Sequence, residues 1–494
     1  MTEQMTEAPM TLLDTTTWTG KIHSTSWRDG SDGAITVREP ATGETLGTVG
    51  GASREDVLAA SRAASAAQKE WAARSPRERA AVLRRAGQLF EEHAEEIGSW
   101  IISETGAIPP KAGLETTIAA DECYEAAGLP THPQGEVLAT NDDRWSQARR
   151  RPAGVVSVIA PFNFPLILSI RAVAPALALG NAVLLKPDPR TSVSGGVVLA
   201  RIFEEAGLPE GLLHLLPGGR ETGSAVVEAP EVRVVAFTGS TEAGRSIGES
   251  CARLLKRPHL ELGGNNAMIV LPDADLDLAV SAAAFGSFLH QGQICMTTGR
   301  HLVHEDIHDE YVQRLAEKAE TLPVGDPARE QVALGPIIDE NQLKRVDSIV
   351  QETVLHGGRV VAGGIHDGPF YRPTVLTDLT EESPAWAQEI FGPVAPVMRF
   401  RTEEEAISLA NGSAYGLSAS ILGDVGAAMR IADQLASGKI HINEQTVSDE
   451  AYAPFGGVGD SGNGSRVGGA AANIESFTEL QWLTLRPEIA QYPF

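Results

Sequence analysis

Cysteine is scarce in this sequence: three residues among 494, with Cys123, Cys251 and Cys295 far apart. An odd number without metal-ligand spacing excludes a disulfide framework and a zinc centre, and leaves room for one reactive thiol. Positive charge is short as well, with 40 Lys and Arg against 65 Asp and Glu and a formal charge of -25. Nucleic-acid affinity rests on basic side chains displacing counterions, so nucleic acid is not an expected partner. The cluster Arg149, Arg150, Arg151 is too short to reverse that field and suits a solvated surface or a subunit contact. Long apolar runs are also missing. The most apolar stretch, residues 155–185, is broken by Asn163, Arg171, Asn181 and several prolines, which fits buried core and not a membrane span. Residues 1–10 carry Glu3 and Glu7 and no apolar h-region, so the expectation is a cytoplasmic protein without a secretory leader. There is no internal repeat and no low-complexity linker.

What is present is an ordinary globular composition, 42% hydrophobic and 21% charged, in a chain long enough for roughly three structural units. Residues 53–105 read as two amphipathic helices. Ser53 with Asp56 and Ser75 with Glu78 have capping-box spacing, and Pro76 occupies a first helical position. After Gly154 the pattern changes to short apolar runs at 155–159, 182–185 and 234–237, alternating with helical stretches at 191–206 and 244–255. This is the pattern of βαβ units around a buried parallel sheet. The alternation restarts at 267–271, followed by an Ala-rich helix from Leu276 to about His290, so a boundary falls near 265. A glycine-rich loop spans 454–469, and 477–485 reads as a terminal strand.

Several residues carry chemistry. The run Val234-Val235-Ala236-Phe237 leads into Gly239-Ser240-Thr241-Glu242-Ala243-Gly244 and a helical stretch, where a pyrophosphate fits a helix N-terminus; alone, such a turn also serves structure. Cys295, in Gly292-Gln293-Ile294-Cys295-Met296, lies beyond a helix end, whereas Cys123 and Cys251 fall inside helical patterns. A catalytic thiol needs partial exposure and surroundings that favour the thiolate, and an inert buried cysteine is the plain alternative. Glu261, in Leu260-Glu261-Leu262-Gly263-Gly264, becomes a suitable general base if its flanking leucines face a core, and is a surface ion-pair partner otherwise. Asn163, in Pro161-Phe162-Asn163-Phe164-Pro165, is either a turn residue or an oxyanion donor.

Together these pieces, in the order Pro-Phe-Asn-Phe-Pro, Leu-Leu-Lys-Pro, Phe-Thr-Gly-Ser-Thr, Leu-Glu-Leu-Gly-Gly, Gly-Gln-Ile-Cys, Glu-Ile-Phe-Gly-Pro and Pro-Phe-Gly-Gly, resemble the aldehyde dehydrogenase superfamily over about residues 35–485. The resemblance implies an α/β fold in which 1–135 and 155–265 form a Rossmann-like dinucleotide-binding domain and 266–475 an α/β catalytic domain. Residues 136–154 and 476–494 would form a β oligomerisation arm, giving a homodimer or homotetramer. It implies Cys295 as nucleophile, Glu261 as base and Asn163 as oxyanion donor beside the Cys295 amide. Pro161, Phe162, Lys186, Asp188, Gly239, Ser240, Thr241, Gly244, Leu262, Glu389 and Phe391 would hold the cofactor, NAD with NADP admitted. No metal is implied. The segments His290-Gln291-Gly292-Gln293-Ile294-Cys295-Met296 and Ile442-Asn443-Glu444-Gln445-Thr446-Val447 resemble the benzaldehyde and vanillin dehydrogenase branch. An apolar wall of Phe164, Ile167, Leu168, Ile294, Met296 and Phe455 suits an aromatic aldehyde.

Two positions depart from the family pattern. Arg171 is placed to bind a substrate carboxylate, as in semialdehyde dehydrogenases, but Leu289 stands where that branch carries a second arginine. Pro189 replaces a glutamate frequent in the family; Arg190 beside it suits a 2′-phosphate and Asp188 a free ribose hydroxyl. The competing functions are a semialdehyde dehydrogenase, a CoA-acylating enzyme, a non-catalytic structural relative and a zinc alcohol dehydrogenase. The presence of Glu261 disfavours the CoA-acylating enzyme, the intact thiol and glycine loop disfavour the structural relative, and the cysteine spacing disfavours the zinc enzyme.

Overall fold

The computed structural model describes residues 11–494; the expectation that residues 1–10 hold no secretory leader lies outside the described residues. Helices open the chain because their caps are written into it. Ser53 and Ser75 each accept the backbone N–H three residues on, and Asp56 and Glu78 return the bond to the cap amide, starting Arg54–Ala73 and Pro76–Glu92. Where two helices were expected there are three. His93 ends the second with a non-helical backbone and Ala94–Thr105 follows as a separate helix, a break that no Pro or Gly marks.

The apolar runs pair into a seven-stranded sheet in the order Arg257–Glu261, Val232–Thr238, Val155–Ile159, Ala182–Lys186, Leu213–Leu215, Lys21–His23, Trp27–Asp29. The first five are mutually parallel and the last two add antiparallel at the edge. Val155–Ile159 and Ala182–Lys186 are buried at every residue, as strands covered on both faces must be. The expected helix at 191–206 begins as a π turn, Val193–Val197, and becomes α-helical over Val198–Glu205. Glu104 bonds the Val193 and Ser194 amides there, and its burial raises its carboxyl to about 7.

After Glu261 the chain leaves this sheet and enters a second seven-stranded one at Asn266–Val270. Its order is Arg359–Ala362, Thr374–Thr377, Val394–Phe400, Thr298–His304, Asn266–Val270, Ser418–Leu422, Lys439–Ile442. The Ala-rich helix runs over Leu276–Phe288 and passes into a short turn, Leu289–Gly292. A separate three-stranded antiparallel sheet joins Thr478–Leu485, Trp145–Pro152 and Gly135–Val137, leaving Val137, Trp145, Leu480 and Trp482 exposed. Among the described residues no helix is long and apolar enough to cross a membrane.

Candidate active site

The strand order of the first sheet creates the first half of the site. From Val155–Ile159 the chain winds outward through two parallel strands, then returns to the other side of Val155–Ile159 with Val232–Thr238. Open α/β sheets bind ligands at such a reversal, beyond the carboxyl ends of the two strands. Those ends deliver Pro161, Phe162 and Asn163 on one side, and Gly239, Ser240, Thr241 and Gly244 on the other. The helix Thr241–Leu254 starts here with Ser240 as cap, so its first amides and dipole favour an anion. At Gly244 a Cβ would stand 2.3 Å from Leu262 Cδ2, so a side chain there would require Leu262 to move. The neighbouring strand brings Lys186 and then Asp188. Arg190 grips Asp188 through Nε at 2.9 Å and Nη2 at 2.8 Å, reaches Asp339 at 2.5 Å, and stacks on Phe162 at 4.2 Å. Glu389 comes from the loop that leads into the strand Val394–Phe400 of the other sheet, accepts the Gly264 amide at 2.9 Å, and is raised by burial to about 7. Phe391 meets the Phe162 ring edge-on at 5.9 Å.

Cys295 sits on a loop held in an unusual backbone. His290, Gln291 and Gly292 have φ of 50°, 57° and 64° in succession. For the two residues with side chains this conformation costs on the order of 1–3 kcal/mol each and persists only where neighbours enforce it. They do: the Gln291 amide donates to Gly106 and Pro336 carbonyls, Gln293 Oε1 accepts the Ile338 amide, and Thr297 donates to the Gly292 carbonyl. At Gly292 a Cβ would lie 2.1 Å from the Gly392 carbonyl oxygen. Of the cysteines, Cys295 is half-buried and the other two are buried. The surroundings do not favour its thiolate, contrary to expectation: burial first, then the Glu389 charge, push the thiol up to about 12.

Asn163 is 2% exposed and donates through Nδ2 to the Gln293 carbonyl at 2.9 Å, two residues before the thiol. It is fixed from behind by Lys111, which donates to the Asn163 carbonyl at 2.7 Å, stacks on Phe164 at 4.3 Å and pairs with Glu115. Glu115 in turn accepts the Leu166 amide at the start of the helix Pro165–Ala178. The sequence reading missed this buried pair; its only signal is the four-residue spacing on the helix Pro109–Gly128.

Leu260 and Leu262 are both buried, so Glu261 is desolvated, and burial raises its carboxyl above the usual range. Neither of its oxygens has a hydrogen-bond partner. Phe164, Ile167, Leu168, Arg171, Ile294, Met296 and Phe455 line one cavity of about 190 Å³ together with Cys295 and Asn163. Leu289, Gln445 and Val447, from positions the sequence analysis singled out, also line it, and so do Leu114, Ile118, Phe285, Ser448 and Asp449, which went unnoticed in the sequence. Glu261 is not on this cavity; it borders a smaller one of about 20 Å³ that shares the walls Leu168, Arg171 and Phe455. Arg171 is already engaged, with Nε on Glu122 at 3.0 Å, Nη2 on Asp449 at 2.5 Å and the guanidinium 4.8 Å from the Phe455 ring centre. Two of its three guanidinium nitrogens are therefore engaged from within the chain, and Nη1 is buried without a hydrogen-bond partner.

Comparison with known proteins agrees with this geometry. The family model for the aldehyde dehydrogenase family matches residues 27–483. The chain is 60% identical to a vanillin dehydrogenase of Amycolatopsis sp., covering 98% of this chain and 100% of the relative. It is 49% identical to a benzaldehyde dehydrogenase [NAD(+)] of Pseudomonas putida, covering 97% and 98% respectively. Among solved structures, a salicylaldehyde dehydrogenase from Pseudomonas putida G7 complexed with salicylaldehyde superposes with a TM-score of 0.93 at 37% identity, covering 96% of this chain and 99% of that one. On the family match and these full-length identities, the chain belongs to the aldehyde dehydrogenase family.

Proposed function

We propose that the protein oxidises an aromatic aldehyde of the benzaldehyde class to the carboxylic acid with NAD, through covalent attachment to Cys295. The observation that carries this reading is the cavity of about 190 Å³ that places the thiol against apolar and aromatic walls and whose arginine is already paired. A ring fits such a surface, and the guanidinium that would meet a second carboxylate is already held by Glu122 and Asp449. The named relatives act on benzaldehyde or vanillin, which supports the same class.

The residues divide the work. The thiol rests protonated, so attack requires a base; of the carboxyls in electrostatic reach, Glu389 bonds the Gly264 amide and Asp449 pairs with Arg171, while Glu261 has both oxygens free to accept. As Cys295 Sγ bonds to the carbonyl carbon, the charge growing on oxygen meets the Asn163 side-chain amide and the Cys295 backbone amide. Losing one such donor costs about 100- to 1000-fold in rate. After oxidation Glu261 takes a proton from water as the water oxygen attacks the thioester carbon, and the sulfur leaves.

The donor set at the sheet reversal fits a dinucleotide: helix amides after Gly239 and Ser240 for the pyrophosphate, Lys186 and Glu389 for ribose hydroxyls, with Pro161, Phe162, Leu262 and Phe391 as packing surfaces. When bound, the nicotinamide supplies the two-electron acceptor. Arg190 is committed to Asp188 and Asp339, which favours the free 2′-hydroxyl of NAD over the 2′-phosphate of NADP. We further assign residues up to 135 and 155–265 to cofactor binding, 266–475 to catalysis, and the three-stranded sheet of 136–154 and 476–494 to a dimer or tetramer contact in the cytoplasm. The test is a panel of aromatic, aliphatic and dicarboxylic semialdehydes with NAD and NADP. Benzaldehyde-type compounds with NAD should give the highest kcat/KM, by at least about tenfold, since each 1.4 kcal/mol of unpaired-charge cost is tenfold. A preference for succinic semialdehyde that Arg171→Leu abolishes would overturn the assignment.

A further inference from the structure

The chemistry above gives no part to the histidine beside Glu261. His259 and Glu261 stand two residues apart on the strand Arg257–Glu261, so their side chains leave the same face. His259 Nε2 lies 3.4 Å from Glu261 Oε1, both residues are only 4% exposed, and neither Nε2 nor either carboxyl oxygen has a hydrogen-bond partner. The other face of the ring is defined. The Ser476 hydroxyl donates to the Arg466 carbonyl at 2.7 Å and stands 3.4 Å from His259 Nδ1, where it can only accept. That arrangement puts the ring proton on Nδ1 and turns the lone pair of Nε2 toward Glu261. The two side chains share the cavity of about 20 Å³, room for about one water, with walls that are otherwise apolar apart from Thr238 and Arg171. Arg466 and Arg171 are the cations whose fields reach Glu261, and the Cys295 thiol and the Lys439 ammonium lie within electrostatic reach of it in turn.

Two protons arrive at Glu261 in each turnover. One is taken from the thiol as Cys295 Sγ attacks the carbonyl carbon, and the second comes from the attacking water. A carboxyl that still holds the first cannot accept the second, and burial makes it slow to shed that proton unaided. We infer that His259 is a positioning and relay residue that resets Glu261 between oxidation and deacylation. The Glu261 O–H bond breaks, an N–H bond forms at His259 Nε2 while Nδ1 keeps its proton, and the electron pair stays on Oε1; the imidazolium holds the proton through deacylation and gives it up to solvent as the acid leaves. This rests on the reading of Glu261 as the base.

The experiment compares His259→Gln, which can hydrogen-bond but not take up a proton, with His259→Ala. Both are made in the full chain and assayed by stopped flow with benzaldehyde and NAD, and, without cofactor, with p-nitrophenyl acetate, which acylates cysteine directly. The Gln variant should keep a full first-turnover burst and the parental kcat/KM for benzaldehyde, and lose at least about tenfold in kcat. Imidazole should restore the Ala variant in proportion to its concentration. Parental turnover by His259→Gln overturns the proposal, as does slow turnover with a lowered melting temperature and no imidazole rescue, which marks a packing role. If Glu261→Gln stalls deacylation while His259→Gln does not, the relay fails and the base stands; if Glu261→Gln turns over normally, the base reading fails first.

Discussion

Replacing Arg171 with leucine should damage stability far more than substrate choice. The arginine is 4% exposed, and its guanidinium is held by Glu122 at 3.0 Å and Asp449 at 2.5 Å. Leucine fills part of the same volume but strands two carboxylates, of which Glu122 has a side chain 1% exposed. Breaking one partner of a buried pair costs about 3–5 kcal/mol, which is roughly 150- to 5000-fold in the folding equilibrium at 1.36 kcal/mol per tenfold. The sign with pH follows from Glu122, which burial raises to about 7 despite Arg171. Its folded form binds the proton more tightly than the unfolded one, so stability from this group is present at acid pH and is lost as pH rises through 7. Without Arg171 the carboxyl moves higher still, and the gap between parent and variant should be small at pH 5 and widen by pH 8. Guanidinium unfolding followed by tryptophan fluorescence at both pH values measures it. The double variant Arg171→Leu, Glu122→Leu should recover much of the loss, because an apolar pair removes the stranded charge. A loss below about 1 kcal/mol at pH 8, or a selective fall in kcat/KM for semialdehydes with stability intact, would refute the reasoning.

Other outcomes follow from the site. Cys295→Ala should abolish aldehyde oxidation with NAD affinity by calorimetry retained, whereas Cys123→Ala and Cys251→Ala stay active; equal losses in all three would mean a folding role. Asn163→Ala should lower kcat about 100- to 1000-fold with KM little changed, and a loss confined to KM would remove it from the oxyanion site. Because the Cys295 thiol is held up to about 12 by burial and then by Glu389, its alkylation by iodoacetamide should rise about tenfold per pH unit between 7 and 10, and Glu389→Gln should speed it at pH 8. A plateau near pH 8 would contradict that environment.

The local chemistry of the chain was legible where one interaction decides it. Ser53, Ser75 and their acidic partners three residues on announce the helix starts, and the runs at 155–159 and 182–185 can only be strands covered on both faces. The motif order identified the family; Cys295, Asn163 and the apolar wall line one cavity, whereas Glu261 lies on a smaller one beside it. What stayed hidden is set by distant partners. Nothing near Arg171 says that Glu122 and Asp449, 49 and 278 residues away, will occupy it. The left-handed backbone at Gln291 is held by its side-chain bonds to the carbonyls of Gly106 and Pro336, against the preference of the residue. The thiol environment was hidden for the same reason: the packing that buries Cys295, and then the Glu389 charge, raise it, and both come from other parts of the chain.

The central claim is that acyl transfer passes through Cys295 with Glu261 releasing the acid, and one measurement tests it directly. Glu261→Gln is mixed with benzaldehyde and NAD, quenched in acid within the first turnovers, digested and examined by mass spectrometry. A benzoyl group on the peptide bearing Cys295, accumulating as a burst of reduced cofactor followed by slow turnover, is the predicted result. An unmodified Cys295 peptide together with an undiminished steady-state rate would contradict the account.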